Sequence, residues 1–259
     1  MSQTAAVRVS SSRRDAAEHE GSASGRLFYV VAAAVMLIFT LVGFRYFYLQ
    51  GKGIDGGEIT AQILPLVITH GIAMSAWVVL FFIQSVLIVK GNRRLHMTMG
   101  MAGVVLAVAV IVLGVSVAIL STHYNPQSYS NLGGAKYFLG LMLTEMVCFG
   151  TLAGFGIAYR RRPEIHRPMM LCATLQLMTG SLSRLPFVEA RLFPVSIPLG
   201  LYGPTLLFGL LLFIIQWRLA RIPNGWFAGG YAILLGAALF AVGLANTQLW
   251  NSLAGIAVP

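Results

Sequence analysis

The sequence predicts an all-α fold, a polytopic membrane bundle of seven transmembrane helices occupying residues 26–259 as one domain, preceded by a tail at residues 1–25. Three observations predict it. Hydrophobic residues make up 57% of the chain and charged residues 10%, whereas charged side chains reach about a quarter in water-soluble domains. The apolar residues come in blocks of about 20, the length a helix needs to cross ~30 Å of hydrocarbon. The blocks are also continuous rather than alternating. That favours helices over a barrel, since lipid leaves each backbone to satisfy its own hydrogen bonds.

Taken in order, residues 1–25 are rich in Ser, Ala and charge with no apolar run, the composition of a disordered cytoplasmic tail. His19, between Glu18 and Glu20, belongs to it. The block at 26–49 is longer than the apolar core of a signal peptide and ends "GFRYFYLQ" without a small-residue cleavage site, so it reads as a retained span. Six further blocks follow at 63–89, 98–121, 136–159, 167–187, 198–217 and 226–245. Pro204 falls in the sixth and predicts a kink there. In the seventh, Gly229, Gly236 and Gly243 recur every seven residues and predict a close helix contact, as Gly100 and Gly103 do on the face of His96. Cys148 and Cys172 fall inside spans, where thiols serve packing.

The +10 charge is distributed as topology requires. Arg8, Arg13, Arg14, Arg26, Lys90, Arg93, Arg94, Arg160, Arg161, Arg162, Arg167, Arg218 and Arg221 fall on one side of the predicted bundle. Arg45, Lys52, Lys136, Arg184 and Arg191 fall on the other. Positive residues stay cytoplasmic, so the N-terminus is expected inside and the C-terminus outside, in a bacterial inner membrane. This account needs no nucleic acid. Trp217 and Trp226 on the inner side, and Tyr124, Tyr129, Tyr137 and Trp250 on the outer, are expected to mark the interfaces.

"NRRLHMTMG" at 92–100 and "RRPEIHRPM" at 161–169 say nearly the same thing twice: arginines, one histidine, then an apolar run. His96 and His166 align, with Met99 and Met169 three residues on. Two hairpins of the same orientation, as in parallel-repeat membrane folds, are therefore expected.

Ionisable groups inside a bilayer are costly and mark functional sites. His70 shares a helical face with Trp77, Phe81 and Gln84. At ~1.5 Å per residue His70, Glu145 and Arg184 all fall in the outer half of the membrane, on three different helices. They read either as a proton-handling or ligand-binding cluster, or as a Glu–Arg pair that joins helices. A b-type haem needs axial imidazoles from facing helices and cations for its propionates. His96 and His166, beside Arg93, Arg94, Arg161, Arg162 and Arg167, suit an inner site; His70 and His123 could form an outer one. The other reading of these histidines is interfacial. Phosphate-loop, HExxH, CxxC and GxSxG motifs are missing from any supporting context, so no enzyme class is indicated.

"HGIAMSAWVVLFFIQSVLIVKGNRRLHMTMG" and "RRRPEIHRPMMLCATLQLMTGSLSRLP" resemble an uncharacterised group of bacterial multi-spanning membrane proteins. That resemblance implies the fold and singles out His70, Gln84, His96, His166 and Arg184. In layout the chain is also loosely similar to b561-type transmembrane cytochromes, which implies paired histidines for two haems. Here it departs from them, because block four carries Glu145 and no histidine. Three functional expectations follow. One is a haem-binding, redox-associated inner-membrane protein whose partners include a quinone or another electron-transfer protein. The second is a proton or small-molecule carrier using the outer cluster. The third is an accessory or assembly subunit of a larger membrane complex.

Overall fold

The structure, a computed structural model, describes residues 25–53, 56–185, 188 and 201–258. The expected tail, His19, Arg191 and the start of the sixth block lie outside the described residues. Ten α-helices are found among the described residues: α1 Gly25–Gly43, α2 Arg45–Gln50, α3 Leu64–Val89, α4 Arg93–Tyr124, α5 Ala135–Ala158, α6 Pro163–Gln176, α7 Thr179–Leu182, α8 Gly203–Ala220, α9 Gly225–Ala245 and α10 Gln248–Ala254. A 3-10 turn at Pro126–Leu132 joins α4 to α5. No strand is present among these residues, only an isolated bridge between Lys52 and Glu58. α1, α3, α4, α5, α8 and α9 are long and apolar enough to cross a membrane. The chain is a multi-pass helical membrane bundle.

The fifth apolar block is built differently. α6 stops after Gln176, and the chain turns through Leu177 and Met178 before α7. Beyond that point the backbone bonds mix short and long ladders: Met178 N–H reaches Leu175 O, while Leu182 N–H reaches Met178 O. The sequence "TGSLS" explains the change. The Thr179 hydroxyl donates to Gln176 O and the Ser181 hydroxyl to Met178 O, so side chains compete for the carbonyls a continuous helix would use. Gly180 adds backbone freedom.

This broken segment is also the centre of the molecule. Every residue from Leu171 to Thr179 is buried, where a lipid-facing helix would leave one side open. α5 and α9 pack along α6, and α1 reaches α7 at Gly43, whose absent Cβ would collide with the Ser181 backbone carbonyl. Only glycine fits at that crossing.

The two hairpins expected from the repeat are present as α3/α4 and α5/α6. His96 and His166 are each the fourth residue of their helix. Their amides donate to the residues that precede those helices, Asn92 and Arg162. Asn92 caps α4 by accepting from Leu95 N–H, and Asn224 caps α9 through Trp226 and Phe227 N–H.

Two sequence expectations are corrected. Gly229, Gly236 and Gly243 face open space; α9 packs instead through Phe227, Gly230, Leu234, Ala238 and Ala241. A Cβ on Gly230 would meet Cys172 Sγ at 2.8 Å. A seven-residue series drifts across a 3.6-residue helix face, and the buried set keeps the i, i+3, i+4 spacing of a true contact face. Pro204 does not kink a span, because it opens α8, where a missing N–H costs no bond. Trp250 is also tied to the bundle. Its indole donates to Lys136 O at 2.8 Å and lies over Gly140, which docks α10 on α5.

Gly230→Val should lower the melting temperature of the detergent-purified protein, equivalent to roughly 1–3 kcal/mol for overpacking. Gly236→Ala should leave it unchanged or slightly raised; equal losses from both would refute this assignment of the α9 contact face.

Candidate functional site

His70, Glu145 and Arg184 are brought together. They line one cavity of about 920 Å3 at the end of the bundle opposite the arginine-rich turns. α3 supplies His70, α5 supplies Glu145, and the turn after α7 supplies Arg184. Thr40, Tyr129, Thr179 and Tyr202 share the walls, while aromatic and Met side chains make much of the rest. Arg45, Lys52 and Glu58 stand on its α2 and loop side.

The polar groups in this cavity are under-matched. Glu145 and Arg184 feel one another electrostatically without forming an ion pair. The Thr179 hydroxyl faces the carboxylate, yet Glu145 Oε1 has no hydrogen-bond partner, and neither has His70 Nδ1. Arg184 is held by its own segment: Nη1 donates to Gly180 O, and the guanidinium lies 4.8 Å from the Phe44 ring centroid. A structural Glu–Arg clasp would close the pair and satisfy both oxygens. Here the charges are positioned separately and point into a shared space.

Gln84 does not belong to this cavity. It lies two helical turns beyond Trp77 on α3, and both of its amide atoms are buried without a partner. His123 does not join His70 either. Its ring is exposed at the end of α4, with Nδ1 2.9 Å from Ala257 O, and no contact links the two histidines. His123 is the second-to-last residue of the 32-residue α4, whereas His70 lies within the cavity wall.

At the arginine-rich end, His96 and His166 do meet. Their ring centroids are 6.3 Å apart with planes at 83°. His166 Nδ1 lies 2.8 Å from Gly156 O, which leaves Nε2 as its free ring nitrogen. His96 faces the backbone carbonyl of Gln84 and has Nδ1 unmatched. Arg167 is near both rings. Among the described residues no group of three or more His, Cys, Asp or Glu side chains could hold a metal ion.

Sequence reasoning missed Gln176, Thr174 and Thr179. Gln176 is 1% exposed with Nε2 unpartnered, and the Thr174 hydroxyl accepts from the Trp77 indole at 3.2 Å. Their signal was available, since three polar residues within one apolar block need internal partners. No known protein family, curated protein or solved structure matches this chain.

Glu145→Gln tests the absence of a clasp. It removes a buried carboxylate that lacks an ion pair, so the protein should become more heat-stable, by an amount equivalent to about 1–3 kcal/mol. A loss of similar size would mean that Glu145 and Arg184 hold helices together.

Proposed function

We propose that the chain is a small-molecule binding and carrier protein whose site is the cavity shared by His70, Glu145 and Arg184. The observation that supports this most is the pair of orphaned polar atoms, His70 Nδ1 and Glu145 Oε1, on the wall of a largely apolar cavity. Leaving buried polar groups unmatched costs about 1–3 kcal/mol each, and a ligand that supplies the missing partners recovers it. The ligand is an amphipathic molecule. It donates through a hydroxyl or ammonium to Glu145, and its apolar body lies against the Phe, Tyr and Met walls.

In this reading the chain crosses the membrane seven times, with α6 and α7 together forming the buried fifth crossing. The arginine-rich turns face the cytoplasm by the positive-inside rule, and the cavity faces the outside of a bacterial inner membrane.

A second reading rests on the histidine pair. An iron bonded at about 2 Å to one nitrogen of each ring sets imidazole centroids roughly 6 Å apart, close to the 6.3 Å between His96 and His166. The surrounding arginines suit haem propionates. On this reading α4 and α6 part around a porphyrin disc, and the protein exchanges electrons with a quinone or a membrane partner.

Each reading has its own measurement. Thermal unfolding against short-chain quinols, primary amines and small alcohols should reveal at least one class that stabilises the wild type by mass action, with the shift abolished in both Glu145→Gln and Arg184→Gln. Stabilisation by none of the three classes would sink the cavity reading. For haem, a dithionite-reduced minus oxidised spectrum of protein from haem-replete cells should show a b-type band that His96→Ala and His166→Ala each remove and His123→Ala leaves intact. A colourless folded protein excludes the second reading.

A further inference from the structure

Most of the unmatched polar atoms fall into one series. Starting at the cavity, Thr179 faces Glu145, and its hydroxyl donates to Gln176 O at 3.0 Å. Gln176 is enclosed, with Nε2 unpartnered. Two residues back along α6, about half a turn, Thr174 accepts from Trp77 of α3. Two turns further along the same face of α3 is Gln84, its whole amide unmatched; that step is ~10 Å at ~1.5 Å per residue. His96 faces the backbone carbonyl of Gln84, and the His166 ring centroid lies 6.3 Å from that of His96. The series runs from the cavity to the arginine-rich end, on α7, α6, α3 and α4.

Orphaned amides inside protein are ordinarily matched by water, which needs two to four polar partners. With a carboxylate at one end of the series and imidazoles at the other, these groups have the composition of a proton relay, as intramembrane Asp, Glu and His chains do.

We infer that the bundle contains a hydrated polar path that conducts protons between the Glu145 cavity and the His96/His166 pair. The inference rests on the cavity reading in that the path opens to water through the cavity. A proton arriving from that water is taken up by Glu145 or His70, passes along water held by Gln176 and Gln84, and leaves through His96 and His166. Each hop breaks one O–H or N–H bond as it forms the next, so no oxidant or reductant is needed. The glutamines orient water and do not themselves carry the proton. Trp77, donating to Thr174 and set edge-on to Phe149 at 5.0 Å, is the narrow point. Arg184 beside Glu145, and Arg167 beside the histidines, are the cations that set the potential at the two ends.

The test is proton entry into proteoliposomes loaded with a pH-sensitive dye, driven by a valinomycin-clamped potassium potential, with no ligand added. Wild-type vesicles should acidify several-fold faster than protein-free vesicles. Gln84→Leu and Gln176→Leu should each return the rate to the protein-free level while the proteins stay folded. Gln216→Leu, at an unmatched amide oxygen on α8 away from the series, should keep the wild-type rate. If Gln176→Leu fails to fold, the partly exposed Gln84 position carries the test alone. A wild-type rate equal to that of protein-free vesicles, or an unchanged rate in Gln84→Leu, overturns the path. Stabilisation by a ligand class without proton flux would overturn the path and leave the cavity reading standing; flux without any such stabilisation would do the reverse.

Discussion

The segment from Pro163 to Leu185 has protein on every side in its central part, and the remaining helices are arranged around that requirement. A helix in lipid can shed polar groups to its ends, but one enclosed by other helices must satisfy them inside the bundle. α6 meets the condition at Thr174, which takes up the Trp77 indole. It meets it again at Thr179, whose hydroxyl accepts from Thr205 of α8 at 3.3 Å. At Gln176 the condition is left open. The same serines and threonines that stop the helix after Gln176 create the turn from which Arg184 reaches the cavity. The break and the site therefore share one cause.

The outline of this arrangement was readable in the sequence because membrane thickness imposes a length on each apolar block. Depth could be read as well. Counting ~1.5 Å per residue from the span ends placed His70, Glu145 and Arg184 in one layer, and one cavity holds all three. The register of His96 with His166 was legible because both follow a turn that starts a helix at a fixed distance. What failed was rotation about a helix axis. Gly229 and Gly230 differ by one residue and about 100°, and composition alone does not say which of them faces Cys172. Gln84 left the cavity cluster for a different reason, because the helical face it shares with His70 extends ~21 Å further along α3. Pro204 was misplaced for another reason: its effect depends on where the helix begins, and the apolar block extends beyond that start.

The two ends of the bundle treat their ionisable groups differently. At the arginine-rich end, His166 is fixed by the Gly156 carbonyl, and the histidines touch one another across α4 and α6. At the opposite end the groups are kept apart. Tyr48 is tied to Ser75 at 2.7 Å, Tyr202 to Leu141 O at 2.8 Å, and Arg184 to Gly180 O, so side chains that could have quenched Glu145 and His70 are committed elsewhere. Simple helix adhesion predicts the opposite pattern, because in a low-dielectric interior a direct carboxylate–guanidinium contact is the arrangement that best offsets the desolvation of both ions. A bundle selected only for stability would let Arg184 close on Glu145. Anchoring Arg184 to its own turn and to the Phe44 face keeps that contact from forming, and what it preserves is an acceptor available to something that enters the cavity.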